Sequence, residues 1–237
     1  MRDRAGVYGA FGHISADVQQ IYRDLGSSAG SVMMDAYSIG AYLTHFGSNG
    51  WYLDAVAQGT WYAADAQSVS GPSLRTNGFG LAGSLEGGYP VALSASVVLE
   101  PQVQLVYQLV QLGNGSDGSS LVSFADANSL VGRAGGRLVK TWDTGESDRP
   151  RPFSAWLSGN MLHEFLGNPT TTFAGLSGGN ALTFAGPSAG TWASVGAGAS
   201  GTIGPSTTVF ATAAYQRNVD GQQQYAWSGR IGITQRW

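Results

Sequence analysis

Three histidines, two glycine fingerprints and one serine elbow are where this chain could do chemistry, and each lacks a partner that the chemistry needs. His13, His45 and His163 stand far apart, and none has metal-ligand spacing. His163 adjoins Glu164, but neighbours on a strand point to opposite faces, so the two do not form a dyad. Gly78-Phe-Gly-Leu-Ala-Gly83 and Gly196-Ala-Gly-Ala-Ser-Gly201 fit a dinucleotide fingerprint. Neither follows a strand and opens a helix, which phosphate binding at a helix N-terminus requires. With 36 Gly among 237 residues such matches arise by chance. Gly186-Pro-Ser-Ala-Gly190 has the spacing of a nucleophile elbow around Ser188, in a loop with no following helix. Catalytic, metal and cofactor sites are therefore expected to be absent.

A second group of polar residues is better motivated. Asp54, Glu86, Glu100, Gln102 and Gln104, together with Arg133, Arg137 and Arg230, fall on the polar side of alternating segments. Opposite charges on one wall can pair across strands and hold a hydrated interior in register. These eight are expected to line a lumen. Rim acids such as Asp65, Asp126 and Asp220 are sparse, with only His163 near them, which argues against a water-activating Asp/His site.

The elements that would carry these residues are strands. In Leu99–Leu109 one face holds Leu99, Pro101, Val103, Leu105, Tyr107 and Leu109, and the other holds Glu100, Gln102, Gln104, Val106 and Gln108. A period of two places the apolar set on one side of a strand, and about eleven residues is the length that crosses a bilayer at a barrel's tilt. The pattern returns near residues 5–17, 37–44, 53–61, 79–89, 130–138, 153–164, 191–203, 207–217 and 225–237, giving ten strands. In the last, Tyr225, Trp227, Ile231, Ile233 and Trp237 oppose Ser228, Arg230, Thr234 and Arg236. Long loops are expected near residues 18–33, 63–77, 112–128 and 166–190, with a shorter one near 218–224. Short turns fall at 46–50, 90–96, 142–149 and 204–206, and long–short alternation is the habit of outer-membrane barrels. Trp51, Trp61, Tyr89, Trp142, Phe153, Trp192, Tyr215, Trp227 and Trp237 sit at strand ends, and their outward members would form interfacial girdles.

Composition agrees. Charged residues are 11% of the chain and hydrophobic ones 43%, too few charges to cover an ordinary soluble surface. No run approaches the ~18 apolar residues of a membrane helix. Cysteine is absent, which removes disulfides and thiol chemistry. Net charge −3 without a basic cluster argues against nucleic acid. Met1-Arg-Asp-Arg4 opens without the apolar stretch of an export signal, so none is expected in these residues.

Several stretches, in order, resemble the C-terminal translocator β-barrel of autotransporters (type V secretion). They are Asn49-Gly-Trp-Tyr-Leu-Asp-Ala55, Leu85-Glu-Gly-Gly-Tyr89, Leu99-Glu-Pro-Gln102, and Leu130–Leu138 with its Arg-Ala-Gly-Gly-Arg centre. Arg151-Pro-Phe-Ser-Ala-Trp156, His163-Glu-Phe165 and a terminal aromatic complete the set. The resemblance implies an all-β, antiparallel up-and-down barrel in the outer membrane of a Gram-negative cell, amid lipid bilayer and lipopolysaccharide. It implies a non-enzymatic route and anchor for the chain's own N-terminal passenger. It also implies a partner, the barrel assembly machinery, reading the last strand through Tyr225, Trp227, Ile231, Ile233 and Trp237. The family pattern has twelve strands and a lumen helix. Residues 1–237 are thus expected to be a single translocator domain lacking that helix and the first two strands. Gln235 stands where the family usually has an apolar outward residue. In self-cleaving members lumen acids act on the threaded linker, which makes Glu86 and Glu100 weak candidates for that role. A ten-stranded outer-membrane protease and a passive solute pore are the alternative readings.

Overall fold

The computed structural model describes residues 1–19, 28–145, 151–167, 169–177, 179–186, 190–203, 206–220 and 224–235. The strands are β1 (Arg2–Gln19), β2 (Ser28–Phe46), β3 (Tyr52–Ser68), β4 (Ser73–Gly88), β5 (Val91–Ala92), β6 (Val97–Leu112), β7 (Gly115–Ser116) and β8 (Ser120–Phe124). They continue with β9 (Ala127–Asp143), β10 (Pro152–Glu164), β11 (Thr170–Gly175), β12 (Leu182–Ala185), β13 (Thr191–Thr202), β14 (Thr207–Asn218) and β15 (Tyr225–Gln235).

Ten long strands form one curled sheet in the order β1-β2-β3-β4-β6-β9-β10-β13-β14-β15, with β5 beside β6. Each pairs antiparallel with its neighbour along the chain, the up-and-down order expected from the alternation. Among the described residues no ladder joins β1 to β15. No helix there is long and apolar enough to cross a membrane.

Side chains are sorted inside-out relative to a water-soluble domain. Along β6 the apolar Leu99, Val103, Leu105 and Tyr107 are exposed, Leu105 at 53%, while Glu100, Gln102 and Gln104 between them are half-buried. Among the described residues Val122 is the one apolar side chain that is fully buried, at 1% exposure, whereas Thr60 and Ser194 are buried polar groups. Apolar surface left outward on strand after strand is stable only where the surroundings are not water. The sheet therefore has an apolar outer face and a polar inner one.

Two of the expected loops are corrected. Residues 63–68 and 73–77 belong to β3 and β4, and the connection is the four-residue turn 69–72. It is closed by Ser68 N–H to Pro72 O (2.9 Å) and Gly71 N–H to Ser68 O (3.1 Å), with Gly71 at φ +109°. Similarly, β1 runs to Gln19 and β2 begins at Ser28. The sequence signal fades in these tips because polar residues such as Asp65, Gln67, Arg75 and Asn77 occupy the outward positions, so no amphipathic contrast remains.

The loops expected near 112–128 and 166–190 are long, but they are not irregular. They contribute β7, β8, β11 and β12 to a second sheet, ordered β12-β11-β8-β7. Val122 of β8 is buried there. One 260 Å³ cavity is lined by Val122 and Phe173 from this sheet, by Asp117 from the turn between β7 and β8, and by Val32, Ala66 and Leu74 from β2–β4. The small sheet thus rests against the loop-end tips of the large one.

Candidate functional site

Straight across the inner face, Glu86 of β4, Gln104 of β6 and Arg133 of β9 are register partners. Alternation aims all three the same way, and Arg133 is long enough to reach past Gln104. Its Nε donates to Gln104 Oε1 (3.0 Å), Nη2 to Glu86 Oε2 (2.7 Å) and Nη1 to Asn160 Oδ1 (3.0 Å). One guanidinium therefore ties β4, β6, β9 and β10 together. Its planar fork of donors suits that task better than an ammonium would.

The network continues toward the short-turn end. The Tyr52 hydroxyl donates to Glu86 Oε1 (2.6 Å) and accepts from Gln102 Nε2 (2.9 Å). Gln102 also donates to Glu100 Oε1 (2.7 Å), which accepts from Arg137 Nη2 at 3.0 Å. Arg137 lies over the Trp156 ring, 5.8 Å from its centroid. Gly88 makes room for this arrangement, because a Cβ there would lie 2.5 Å from the Tyr52 ring. Two carboxylates meet two guanidiniums, so the cluster is balanced in charge and mostly satisfied in hydrogen bonds. Arg137 Nε is the cluster's buried atom without a partner.

Six of the eight expected inner residues are brought together here: Glu86, Glu100, Gln102, Gln104, Arg133 and Arg137. Asp54 shares their face and accepts a short hydrogen bond from the Thr44 hydroxyl. Arg230 does not join. It stands on β15 opposite Thr212, with β10, β13 and β14 between it and β9, and it makes no ion pair among the described residues. It lies too far from the β9 cluster to join it, since three intervening strands of ~4.8 Å spacing exceed a side chain's reach. Sequence reasoning missed Tyr52, Trp156 and Tyr8, whose hydroxyl donates to Gln58 Oε1 at 2.8 Å. The parity of Tyr52 with Asp54 was the available signal, because an aromatic ring by itself does not declare its face.

The outer face carries rows of aromatics of its own. Phe11, Tyr37, Trp61 and Phe79 are partners in one row across β1–β4, with ring centroids 5.1 Å apart for Phe11–Tyr37 and 5.4 Å for Trp61–Phe79. At the short-turn end Trp142 meets Phe153 (5.7 Å) and His45 meets Trp51 (5.2 Å). Phe79 and Tyr89, like Phe153 and His163, are ten residues apart, which at ~3.3 Å per residue and a barrel's tilt separates the bands by about 25 Å. That is the height of a barrel's apolar belt. Tyr225, Trp227, Ile231 and Ile233 are all exposed on β15, Trp227 against Tyr215 at 4.8 Å. Trp237 and Ser188 lie outside the described residues.

The remaining candidates are structural ties. His13 bonds Asp35 (2.6 Å) and His45 bonds Asp3 (2.6 Å). His163 Nδ1 lies 2.8 Å from Thr191 Oγ1, whose own N–H donates to Asp220 (2.6 Å). Asp220 holds the threonine rather than the imidazole, so the nucleophile–base–orienter order is not made. Glu164 points away from His163 and accepts from the N–H groups of Leu130, Leu166 and Gly167, pinning the loop after β10 to β9. Asp65 accepts from Arg75 and Asp126 from Gln111. Both glycine fingerprints lie inside strands, β4 and β13.

Comparison with known proteins agrees with this architecture. The family model for the autotransporter beta-domain matches residues 1–214. The adhesin BmaC autotransporter of Brucella suis biovar 1 (strain 1330) is 31% identical over 136 residues, covering 55% of this chain and 4% of that protein. The pertactin autotransporter of Bordetella parapertussis is 26% identical over 211 residues, covering 86% of this chain and 21% of that protein. The chain thus spans a small part of the length of these relatives. Among solved structures, the transport unit of autotransporter AIDA-I from Escherichia coli superposes with TM-score 0.70 at 19% identity, covering 99% of this chain and 84% of that one. The beta domain of the Bordetella autotransporter BrkA gives 0.67 at 18%, with 99% and 87% covered.

Proposed function

The chain belongs to the autotransporter β-domain family, and from that premise we propose that it stands in the outer membrane of a Gram-negative cell as the route and anchor for a passenger carried N-terminal to it. On this reading residues 1–237 act as a single domain with no catalysis of their own. The face bearing Asp54, Glu86, Glu100, Gln102, Gln104, Arg133 and Arg137 lines the lumen. The face bearing the aromatic rows meets bilayer and lipopolysaccharide. The barrel assembly machinery would engage β15 through Tyr225, Trp227, Ile231 and Ile233.

The observation that carries the reading is the inverted sorting along ten consecutive antiparallel strands: apolar residues outward between two aromatic bands, and a neutralised polar network inward. A wall whose acids and bases already satisfy one another offers a hydrated surface without a fixed charge to trap a sliding chain. The test is to express the full gene product in a Gram-negative host and treat intact cells with protease. The expected result is a passenger cleaved from outside while the β-domain is protected. A passenger left in the periplasm above a correctly inserted, heat-modifiable β-domain overturns the proposal.

A further inference from the structure

The inner wall of β1–β4 changes character toward the loop end. At mid-height it is polar, with Tyr8, Gln58 and Thr60 hydrogen-bonded in series. A few residues further on, at the same parity, it carries Val18, Val32, Ala66 and Leu74. Val32 is the register partner of Ala66, and Ala66 of Leu74, so these side chains form one aliphatic patch. Such a patch on a water-filled wall calls for a cover. The small sheet supplies it. Val122 and Phe173 stand on the same 260 Å³ cavity as those four side chains, and Val122 is 1% exposed.

The cover is rooted on the far side. β8 rises between β6 and β9, and β11 between β10 and β13. From β10 back to β2 the wall passes through β9, β6, β4 and β3, five ladders at ~4.8 Å or about 24 Å. Phe173 of β11 nevertheless shares a cavity with Val18 and Val32, on their inner side. The strand that carries it therefore spans the mouth of the curled sheet, held to β8 by the pairing of Phe173 with Val122.

The attachment is lopsided. At the roots the chain is tied by hydrogen bonds: Gly113 N–H donates to Asn77 O (2.8 Å), and Glu164 accepts from the N–H groups of Leu166 and Gly167. Across the mouth the two sheets share no ladder among the described residues, and they meet through aliphatic side chains around a cavity. Side chains that border a void forfeit part of their contacts, so this seam parts more easily than a packed core. Firm roots on one side and a loose apolar seam on the other make a hinge and a latch.

We propose, resting on the secretion-route reading above, that the small sheet is a lid over the loop-end mouth. Val122 and Phe173 latch it to the aliphatic patch. It lifts while a passenger segment passes and reseats once the segment is through.

The test places Ala66→Cys and Val122→Cys together in the full gene product, produced in a Gram-negative host; residues 1–237 have no cysteine of their own. A short bismaleimide is applied to cells whose passenger is through and to cells whose passenger is halted in transit by a disulfide-closed domain. The tether should form in the first state and fall by about tenfold in the second, within the usual range of coupling between a ligand and a two-state element. Val122→Cys with Phe173→Cys, partners inside the small sheet, should tether equally in both states. Leu74→Asp, which charges the patch and leaves the small sheet whole, should let a bulky external maleimide reach Ala66→Cys about tenfold faster once the passenger is through. Ala63→Cys, exposed on the outer face of the same strand, should label at one rate with or without Leu74→Asp. Equal Ala66–Val122 tethering in both states makes the small sheet a fixed cap and overturns the lid. So does the lack of that tether in the first state while migration stays heat-modifiable, or the loss of both tethers together in the second. A wild-type passenger that never leaves the periplasm sinks the secretion route instead.

Discussion

Arg133 of β9 and Glu86 of β4 lie 2.7 Å apart although β6 runs between their strands. The guanidinium passes over Gln104, which it also engages, so a single side chain holds three ladders in register. Both partners are about one-fifth exposed, so the pair is worth more than a surface ion pair and less than a fully dry one.

Arg133→Met and Glu86→Gln are each expected to destabilise the sheet by about 1–2 kcal/mol, and the double variant by clearly less than the sum. Denaturant titration of the refolded chain in lipid vesicles measures this. Strict additivity would show that the two residues do not act through each other.

Leu105 faces outward at mid-strand, between Leu85 and Gly132 on the neighbouring strands. Leu105→Arg should cost about 2–4 kcal/mol in the same titration, the depth-dependent penalty of a cation in hydrocarbon. Gln108→Arg, on the opposite face of β6, should be tolerated. Gln104→Arg is different, since it removes the acceptor of Arg133 Nε and sets like charges side by side. Equal effects of the first two substitutions would reject the assigned faces.

Val122 anchors the small sheet. Val122→Ala should loosen it by about 1–3 kcal/mol, the usual range for deleting buried methyl groups. Limited proteolysis is expected to cut between residues 113–126 or 165–190 sooner, while heat-modifiable migration of the ten-stranded sheet is unchanged. Loss of the whole fold would mean that the two sheets are one cooperative unit.

Two acids outside the spanning segments carry the pH dependence. The N–H groups of Ser119 and Ser120 hold the Asp117 carboxyl below the ordinary carboxylate range, and the N–H of Thr191 does the same for Asp220. A folded-state value below the unfolded one gives stability that is present above the unfolded value and is lost as pH falls through the folded one. The Ser119, Ser120 and Thr191 amides should therefore keep their hydrogen-exchange protection factors down to about pH 4 and lose them below it. Asp117→Asn should remove the protection of Ser119 and Ser120 at every pH.

Strand count, order and face were legible in the residues because a period of two survives any curvature of the sheet. Leu99 to Leu109 shows it plainly, and the observed exposures follow it residue by residue through Tyr107. The turn at 69–72 was not legible. At the loop-end tips of β3 and β4 the inner face packs toward the small sheet while the outer positions turn polar, and Asp65 or Arg75 outward looks like loop sequence although it is strand. The pairing of β8 with β11 was hidden as well. The two segments lie far apart along the chain, and only packing brings Val122 opposite Phe173.

By itself, then, the sequence determined which way each side chain points: Glu86, Gln104 and Arg133 to one side, Leu85, Leu105 and Ala134 to the other. Only the tertiary structure decided which of them meet. It joined Arg133 to Glu86 and left Arg230 apart, because parity is a property of one strand, whereas contact depends on how many ladders lie between two strands.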